Sequence, residues 1–256
     1  MNFDPHTSSS RRMRFAREGY PFMLGAAVFA GLAWVGVVVS GSWTILLASL
    51  LTLLTAFVFY FFRDPEREIP PGEGVVISPG DGKIIDIREV GEPSFVEGLC
   101  RRITIFLSVF NVHVQRAPVS GEVAYREYRP GEFAVAWHPK ASEKNEQSSL
   151  GLTAWGDRVL VRQIAGLIAR RIVTYPERGE HVERGERIGL IRFGSRVDLF
   201  IPLEWNLDCA VGDKVAGGST VLARIAGPDK APSSIECGPG RDFRRASSSC
   251  PRRSRC

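Results

Sequence analysis

From Gly19 to Phe62 the chain runs for 44 residues without one Asp, Glu, Lys or Arg. A helix that crosses a membrane takes about 20 apolar residues, so the run has room for two. Ser40-Gly41-Ser42 is the natural break between them. The sequence therefore predicts an α-helical membrane hairpin over 21–62, with helices at Pro21–Val39 and Trp43–Phe62. A hairpin lying in one leaflet satisfies the same composition. The run is too long for a signal-peptide core, and no small-residue cleavage site ends it. Tyr20, Trp43 and Tyr60 sit near the proposed ends, where interfacial aromatics gather. Arg11, Arg12, Arg14 and Arg17 precede the run, and Arg63 and Arg67 follow it. Positive residues favour the cytoplasm, so the chain is expected at the cell membrane with everything after the hairpin on the cytoplasmic side.

The formal net charge of +5 is concentrated at the two ends. Such ends suit anionic lipid or are simply solvated. They carry no nucleic-acid motif and no aromatic interleaving, so no nucleic-acid partner is expected. Four segments follow from the composition: a basic N-terminal segment 1–20, the hairpin 21–62, a polar domain 63–227, and a tail 228–256. The tail is rich in Ser, Arg, Pro and Cys and reads as disordered. None of the five cysteines forms a Cys-x-x-Cys pair, and no histidine stands at zinc-ligand spacing, so no metal site is expected.

After the linker Pro70-Pro71-Gly72, segment 63–227 reads as short strands separated by turn residues. Candidate strands are Val75–Ser78, Lys83–Val90, Arg102–Leu107, Glu122–Arg126, Val159–Ala165 and Leu167–Tyr175. Pro139–Ser149 is polar and reads as a surface loop. A weak repeat joins Gly179–Ile188 to Gly212–Val221: both run Gly-acid-x-Val-x-x-Gly-x-x-aliphatic. It looks like the β-sandwich of lipoyl-type and biotinyl-type domains, although two ordinary hairpins share so short a pattern. The fold class is thus mainly β: a β-sandwich-like domain with lipoyl-like features, preceded by an α-helical membrane hairpin.

Two apolar runs, Ile188–Phe193 and Val197–Ile201, meet at Gly194-Ser195. Gly194 can take backbone conformations closed to other residues, and Ser195 places a hydroxyl next to its carbonyl. With a base to take its proton, such a hydroxyl can attack a peptide carbonyl. A Gly-Ser pair is equally an ordinary kink between strands. His113 lies in Ile105–Pro118, where alternation puts Asn111, His113 and Gln115 on one face. Alone it reads as a structural histidine. Asp81, in Ser78-Pro-Gly-Asp-Gly82, reads alone as a turn residue.

Taken in order, Phe61-Phe-Arg-Asp-Pro-Glu-Arg67, Ser78-Pro-Gly-Asp-Gly82, Asn111-Val-His-Val-Gln-Arg-Ala-Pro-Val-Ser-Gly121, Ile164–Ile172 and Phe193-Gly-Ser-Arg-Val-Asp-Leu199 resemble the short form of the phosphatidylserine decarboxylase proenzymes. The resemblance covers Phe61–Ile225. It implies a lyase made as a zymogen that cleaves its own Gly194–Ser195 bond. Ser195 becomes a pyruvoyl cofactor at the new N-terminus, and the two chains stay together as a heterodimer. The pyruvoyl carbonyl would take the amine of phosphatidylserine as a Schiff base and act as electron sink while carbon dioxide leaves, giving phosphatidylethanolamine. Ser195, His113 and Asp81 are the catalytic residues so implied, with His113 serving as base and acid and Asp81 orienting it. Arg196 and Lys83 are candidates for the lipid phosphate. One departure stands out. The longer branch of that family carries His-x-x-His here, and the second position in this chain is Arg116, which cannot act as a base. Two other readings remain: a non-enzymatic membrane-anchored adaptor with a lipoyl-like sandwich, and a pyruvoyl enzyme for a soluble amino acid, which would not need the hairpin.

Overall fold

The computed structural model describes residues 13–131, 145–166, 172–191 and 195–225. The tail 228–256, residues 192–194 with Gly194 among them, and all of 139–144 and 167–171 lie outside the described residues.

The apolar run forms two helices, α1 (Tyr20–Ser40) and α2 (Ile45–Phe61). Gly41, at φ 90°, ends α1 in a conformation that favours glycine. The helices pair through Trp34 Nε1–H to Thr52 Oγ1 (3.0 Å) and Thr55 Oγ1–H to the Ala26 carbonyl (3.0 Å). By length and composition α1, with its lead-in Arg17–Val39, is long and apolar enough to cross a membrane, whereas α2 has 17 residues. At ~1.5 Å per residue α2 falls a little short of a ~30 Å hydrocarbon core.

The remainder is mainly β. The strands are β1 (Met13–Phe15), β2 (Arg63–Pro65), β3 (Val75–Ile77), β4 (Gly82–Glu92), β5 (Gly98–Leu107), β6 (Val114–Arg116), β7 (Gly121–Arg129), β8 (Gln147–Ala154), β9 (Asp157–Ile164), β10 (Ile172–Thr174), β11 (His181–Val182), β12 (Arg187–Ile191), β13 (Ser195–Ile201), β14 (Asn206–Leu207), β15 (Lys214–Val215) and β16 (Val221–Arg224). An eight-stranded sheet in the order β11-β7-β8-β9-β13-β5-β4-β15 curls into a half-barrel. Two three-stranded sheets, β10-β12-β6 and β14-β16-β3, accompany it, and β1 pairs with β2 beside the helices. β13 lies inside the large sheet between β5 and β9, and all seven of its residues are buried. Its Val197, Leu199 and Ile201 join Ile103, Ile105 and Val161 in the main core. The two charged residues of this strand neutralise one another: Arg196 binds Asp198 through both carboxylate oxygens, at 2.7 and 2.9 Å.

The sequence repeat is a structural repeat. Gly212 and Asp213 exchange backbone bonds with Ile84 (2.8 and 2.9 Å), and Gly179 and Glu180 exchange the same bonds with Val123 (2.8 and 2.8 Å). Gly218 N–H reaches the Ser78 carbonyl and Gly185 N–H the Ala117 carbonyl, both at 2.9 Å. The halves lock by reciprocal bonds, Ile77 N–H to the Pro118 carbonyl (3.0 Å) and Arg116 N–H to the Pro79 carbonyl (2.9 Å). Within this pattern Asp81 and Ser120 occupy matching places: Asp81 Oδ1 accepts from Gly217 N–H at 2.7 Å and Ser120 Oγ from Arg184 N–H at 2.9 Å.

Two expectations are corrected, and one sheet assignment is added. The polar stretch Pro139–Ser149 is not all surface loop, because Gln147–Ser149 begin β8 and are buried. Their side chains carry no apolar alternation, yet β9 pairs with their backbone from Gln147 onward. The two apolar runs that meet at Gly194-Ser195 lie in different sheets, β12 in the β10-β12-β6 sheet and β13 in the eight-stranded sheet. Finally, Asn111 does not share a strand face with His113. Ser108 N–H and Oγ–H both donate to Asn111 Oδ1 (2.8 and 2.7 Å), which closes a turn between β5 and β6.

Candidate active site

Ser195 is the first residue of β13, opposite Leu107 of β5, at the point where the chain passes from one sheet to the other. It is fully buried, and its Oγ has no hydrogen-bond partner among the described residues. A buried hydroxyl left unpaired costs on the order of 1–3 kcal/mol, so its retention calls for a reason.

His113 is also fully buried, and its Nε2 is likewise unpaired among the described residues. Its Nδ1 lies 2.9 Å from the Asn111 carbonyl oxygen. A carbonyl can only accept, so Nδ1 carries the hydrogen of the neutral ring and Nε2 keeps a free lone pair. Burial, aided by the nearby Arg63 charge and opposed by the Asn111 contact, pushes the His113 pKa down to about 4. The ring is neutral at neutral pH and is arranged as an acceptor. Its far side rests on the Phe61 ring, with centroids 4.2 Å apart. The His113 backbone is pinned as well. Its carbonyl accepts from Gln115 Nε2 (2.7 Å) and from Ile191 N–H (3.3 Å), at the end of β12 and four positions before Ser195. Gln115 is held in turn by Gln163, and Gln163 by Thr174, each at 2.8 Å.

Asp81 sits in the turn before β4. Gly80 of that turn packs against Leu107, the residue opposite Ser195: a Cβ built on Gly80 would lie 3.5 Å from the Leu107 side chain. The carboxylate accepts from Gly217 N–H and from Arg67 Nη2, each at 2.7 Å. Burial raises its pKa above the ordinary carboxylate value, and the Arg67 charge and the Gly217 bond oppose that rise. The expected orienting contact from Asp81 to His113 is not the one observed. His113 Nδ1 is engaged by Asn111, and Asp81 by Arg67 and Gly217, which tie down the turn before β4.

Arg116 has a defined task. It donates to Asp64 Oδ1 (3.0 Å), to the Pro65 carbonyl (3.1 Å) and to the Gly185 carbonyl (3.0 Å). Asp64 is buried and also binds Arg187, which reaches Glu66 at 3.1 Å. The charged residues of Arg63-Asp-Pro-Glu-Arg67 therefore brace the segments next to His113 and the turn that holds Asp81. Arg63 takes the Phe110 carbonyl (2.8 Å), Asp64 and Glu66 take β6 and β12, and Arg67 takes Asp81. The sequence shows the charges of this run but not their partners, which lie far along the chain. Arg196 is consumed by Asp198 and buried, so it is not available to a lipid phosphate; Lys83 is exposed.

The phosphatidylserine decarboxylase family model matches residues 54–223, well over half of the chain. The chain is 50% identical over 219 residues to a phosphatidylserine decarboxylase proenzyme of Symbiobacterium thermophilum, covering 85% of this chain and 99% of that one. It is 46% identical over 211 residues to the proenzyme of Desulfotalea psychrophila, covering 82% and 96%. The chain belongs to the phosphatidylserine decarboxylase family. These likenesses lend no support to the non-enzymatic adaptor. The matched span holds Asp81, His113 and Ser195, together with the charges of 63–67.

The pyruvoyl cofactor of the resemblance would be built from Ser195, and the surroundings of Ser195 fit it. The residue is enclosed, its hydroxyl is unpaired among the described residues, and the strand behind it is laddered on both sides.

Proposed function

We propose that this chain is a self-processing, pyruvoyl-dependent decarboxylase that converts phosphatidylserine to phosphatidylethanolamine. It is cut between Gly194 and Ser195 and held at the cytoplasmic face of the membrane by hairpin 21–62. The observation that carries this reading is the buried Ser195 hydroxyl, unpaired among the described residues, at a crossing between two sheets in a chain of this family.

His113 Nε2, with its lone pair free, takes the Ser195 proton as the hydroxyl attacks the Gly194 carbonyl. The Asp81 turn and Leu107 keep the start of β13 in register while the bond breaks. The two products stay together as a heterodimer, because β13 of the small chain lies between β5 and β9 of the large one. When formed, a pyruvoyl group supplies an electrophilic carbonyl that draws electrons from the bond to the departing carboxylate. In that second reaction His113, recharged from water, returns a proton to the substrate carbon. Enclosure of the site excludes competing water.

Intact mass tests the reading. The wild type should give chains of residues 1–194 and 195–256, the smaller without a free amine. Ser195→Ala should remain a single chain of 28.3 kDa that does not decarboxylate vesicular phosphatidylserine. A wild type that stays uncut yet turns over would sink it.

A further inference from the structure

The turn between β5 and β6 is neither part of the core nor a polar surface loop. Phe110 at its tip is 62% exposed. Its ring meets the Phe57 ring edge-on, with centroids 6.3 Å apart. Phe57 lies inside α2, one helical turn or about 6 Å before Phe61 at the helix end. The next residues anchor the turn from the domain side. Val112 and Val114 are buried against Phe61, Phe62, Met23 and Leu190.

A charged marker fixes the level of this arrangement. Arg63, two residues past the end of α2, donates to the Tyr60 carbonyl (2.7 Å) and to the Phe110 carbonyl (2.8 Å), and its guanidinium stacks 3.7 Å from the centre of the Tyr60 ring. An Arg-Tyr pair at a helix end belongs at headgroup depth. A phenyl ring that packs a turn further into the helix then lies on the acyl side of that level. Phe59, Phe22 and Leu24 of the hairpin are exposed as well. Three positions after Phe110 comes His113, its ring 4.2 Å from that of Phe61 and tilted against it.

We propose that turn 108–112 is a membrane-inserted lip. Phe110 seats at the acyl–headgroup boundary of the bilayer beside the end of α2, so a lipid headgroup reaches His113 sideways from the leaflet rather than through water. This rests on the reading of 21–62 as a membrane hairpin, and the occupant is lipid, not a second copy of the chain.

The test uses the full chain in phosphatidylserine-containing vesicles, with its cysteines replaced. An environment-sensitive dye is placed in turn at Phe110→Cys, Leu50→Cys in the hairpin, and Leu99→Cys. Leu99 is exposed at the far end of β5, about 26 Å along the strand from Leu107. Quenching by spin-labelled lipid is expected at 110 and 50 and not at 99. Quenching at 50 without quenching at 110 overturns the lip and leaves the hairpin standing. No quenching at 50 removes the hairpin and the lip together. Shielding of 110 from a water-soluble quencher without lipid quenching, in a chain that sediments as a dimer, means that a second copy covers Phe110 and also overturns the lip. Kinetics give an independent reading: Phe110→Asp should raise KM, expressed as mole fraction of phosphatidylserine, about tenfold, the loss of one buried aromatic side chain. An unchanged KM overturns the proposal.

Discussion

Arg67 Nη2 lies 2.7 Å from Asp81 Oδ2, joining the last charge of the run that follows α2 to the turn that packs on Leu107, opposite Ser195. Both side chains are mostly buried, so the pair is poorly screened. Burial raises the Asp81 pKa, and Arg67 is the foremost charge holding it down, with Arg63 and Arg116 behind it. In Arg67→Met the pKa should rise further, so at a given mildly acidic pH less Asp81 is ionised. Self-cleavage, followed on gels, should slow and should fail at a higher pH than in the wild type as the medium is acidified. Arg67→Lys should recover part of the rate. A Met variant that cleaves on the wild-type pH profile would show that the pair does not serve processing.

His113 carries a second pH signature. Its pKa is about 4 in the fold, against an ordinary value near 6.5 when unfolded. Between those values the unfolded chain binds the extra proton, so stability rises with pH across the window. The contribution is complete above pH 6.5, is lost as pH falls towards 4, and is on the order of 3 kcal/mol. Thermal melts of uncleaved Ser195→Ala in detergent should show this loss, and adding His113→Gln should flatten it. In the cleavage assay His113→Ala should be processed slowly if at all. Full processing with lost turnover would leave His113 as an acid only.

Asp64 holds Arg116 and Arg187 together in a buried site. Replacing it by Ala leaves two guanidinium groups beside each other without their shared anion, at a cost of about 3–5 kcal/mol. Asp64→Ala should melt well below the wild type, and Arg187→Met, which leaves the Asp64–Arg116 pair intact, should be milder. Equal melting of all three proteins would remove the clamp from any account of stability.

Much of this arrangement is legible in the sequence, and what is not has physical reasons. Helices at 20–40 and 45–61 follow from the absence of charge, and the repeat glycines at 179, 185, 212 and 218 all take positive φ in matching turns. β8 was hidden because its Gln147-Ser-Ser start is polar yet buried against β9. The passage of the chain between sheets at Ser195 was hidden because a hairpin and a crossover give the same local pattern of apolar residues. The roles of Asp64, Arg67 and Arg116 were hidden because an ion pair across such distances in sequence leaves no periodic trace. The residues that resemble the family motifs were legible; the contacts that make them a site were not.

The hairpin itself gives the last prediction. Phe61 and Phe62 are not free ends of a membrane anchor. They are 1% and 2% exposed and pack on Val112, Val114 and Leu190, while Ala16 N–H bonds the Phe62 carbonyl at 2.9 Å. Deleting residues 1–62 should release the domain from membranes but uncover that patch beside His113. A chain that begins at Ala56 keeps both rings and loses most of the anchor. It should also leave the membrane fraction, and it should melt higher than the shorter chain, since burying two Phe side chains is worth about 3–6 kcal/mol. Sedimentation after a high-salt wash measures the first outcome and thermal unfolding the second. If both truncated chains still pellet with membranes, the hairpin is not the principal anchor. If they melt alike, the aromatic plug contributes nothing to the domain. Within the intact chain, Leu50→Arg should oppose insertion by about 2.5–3.5 kcal/mol on the translocon scale, read as a shift towards the soluble fraction.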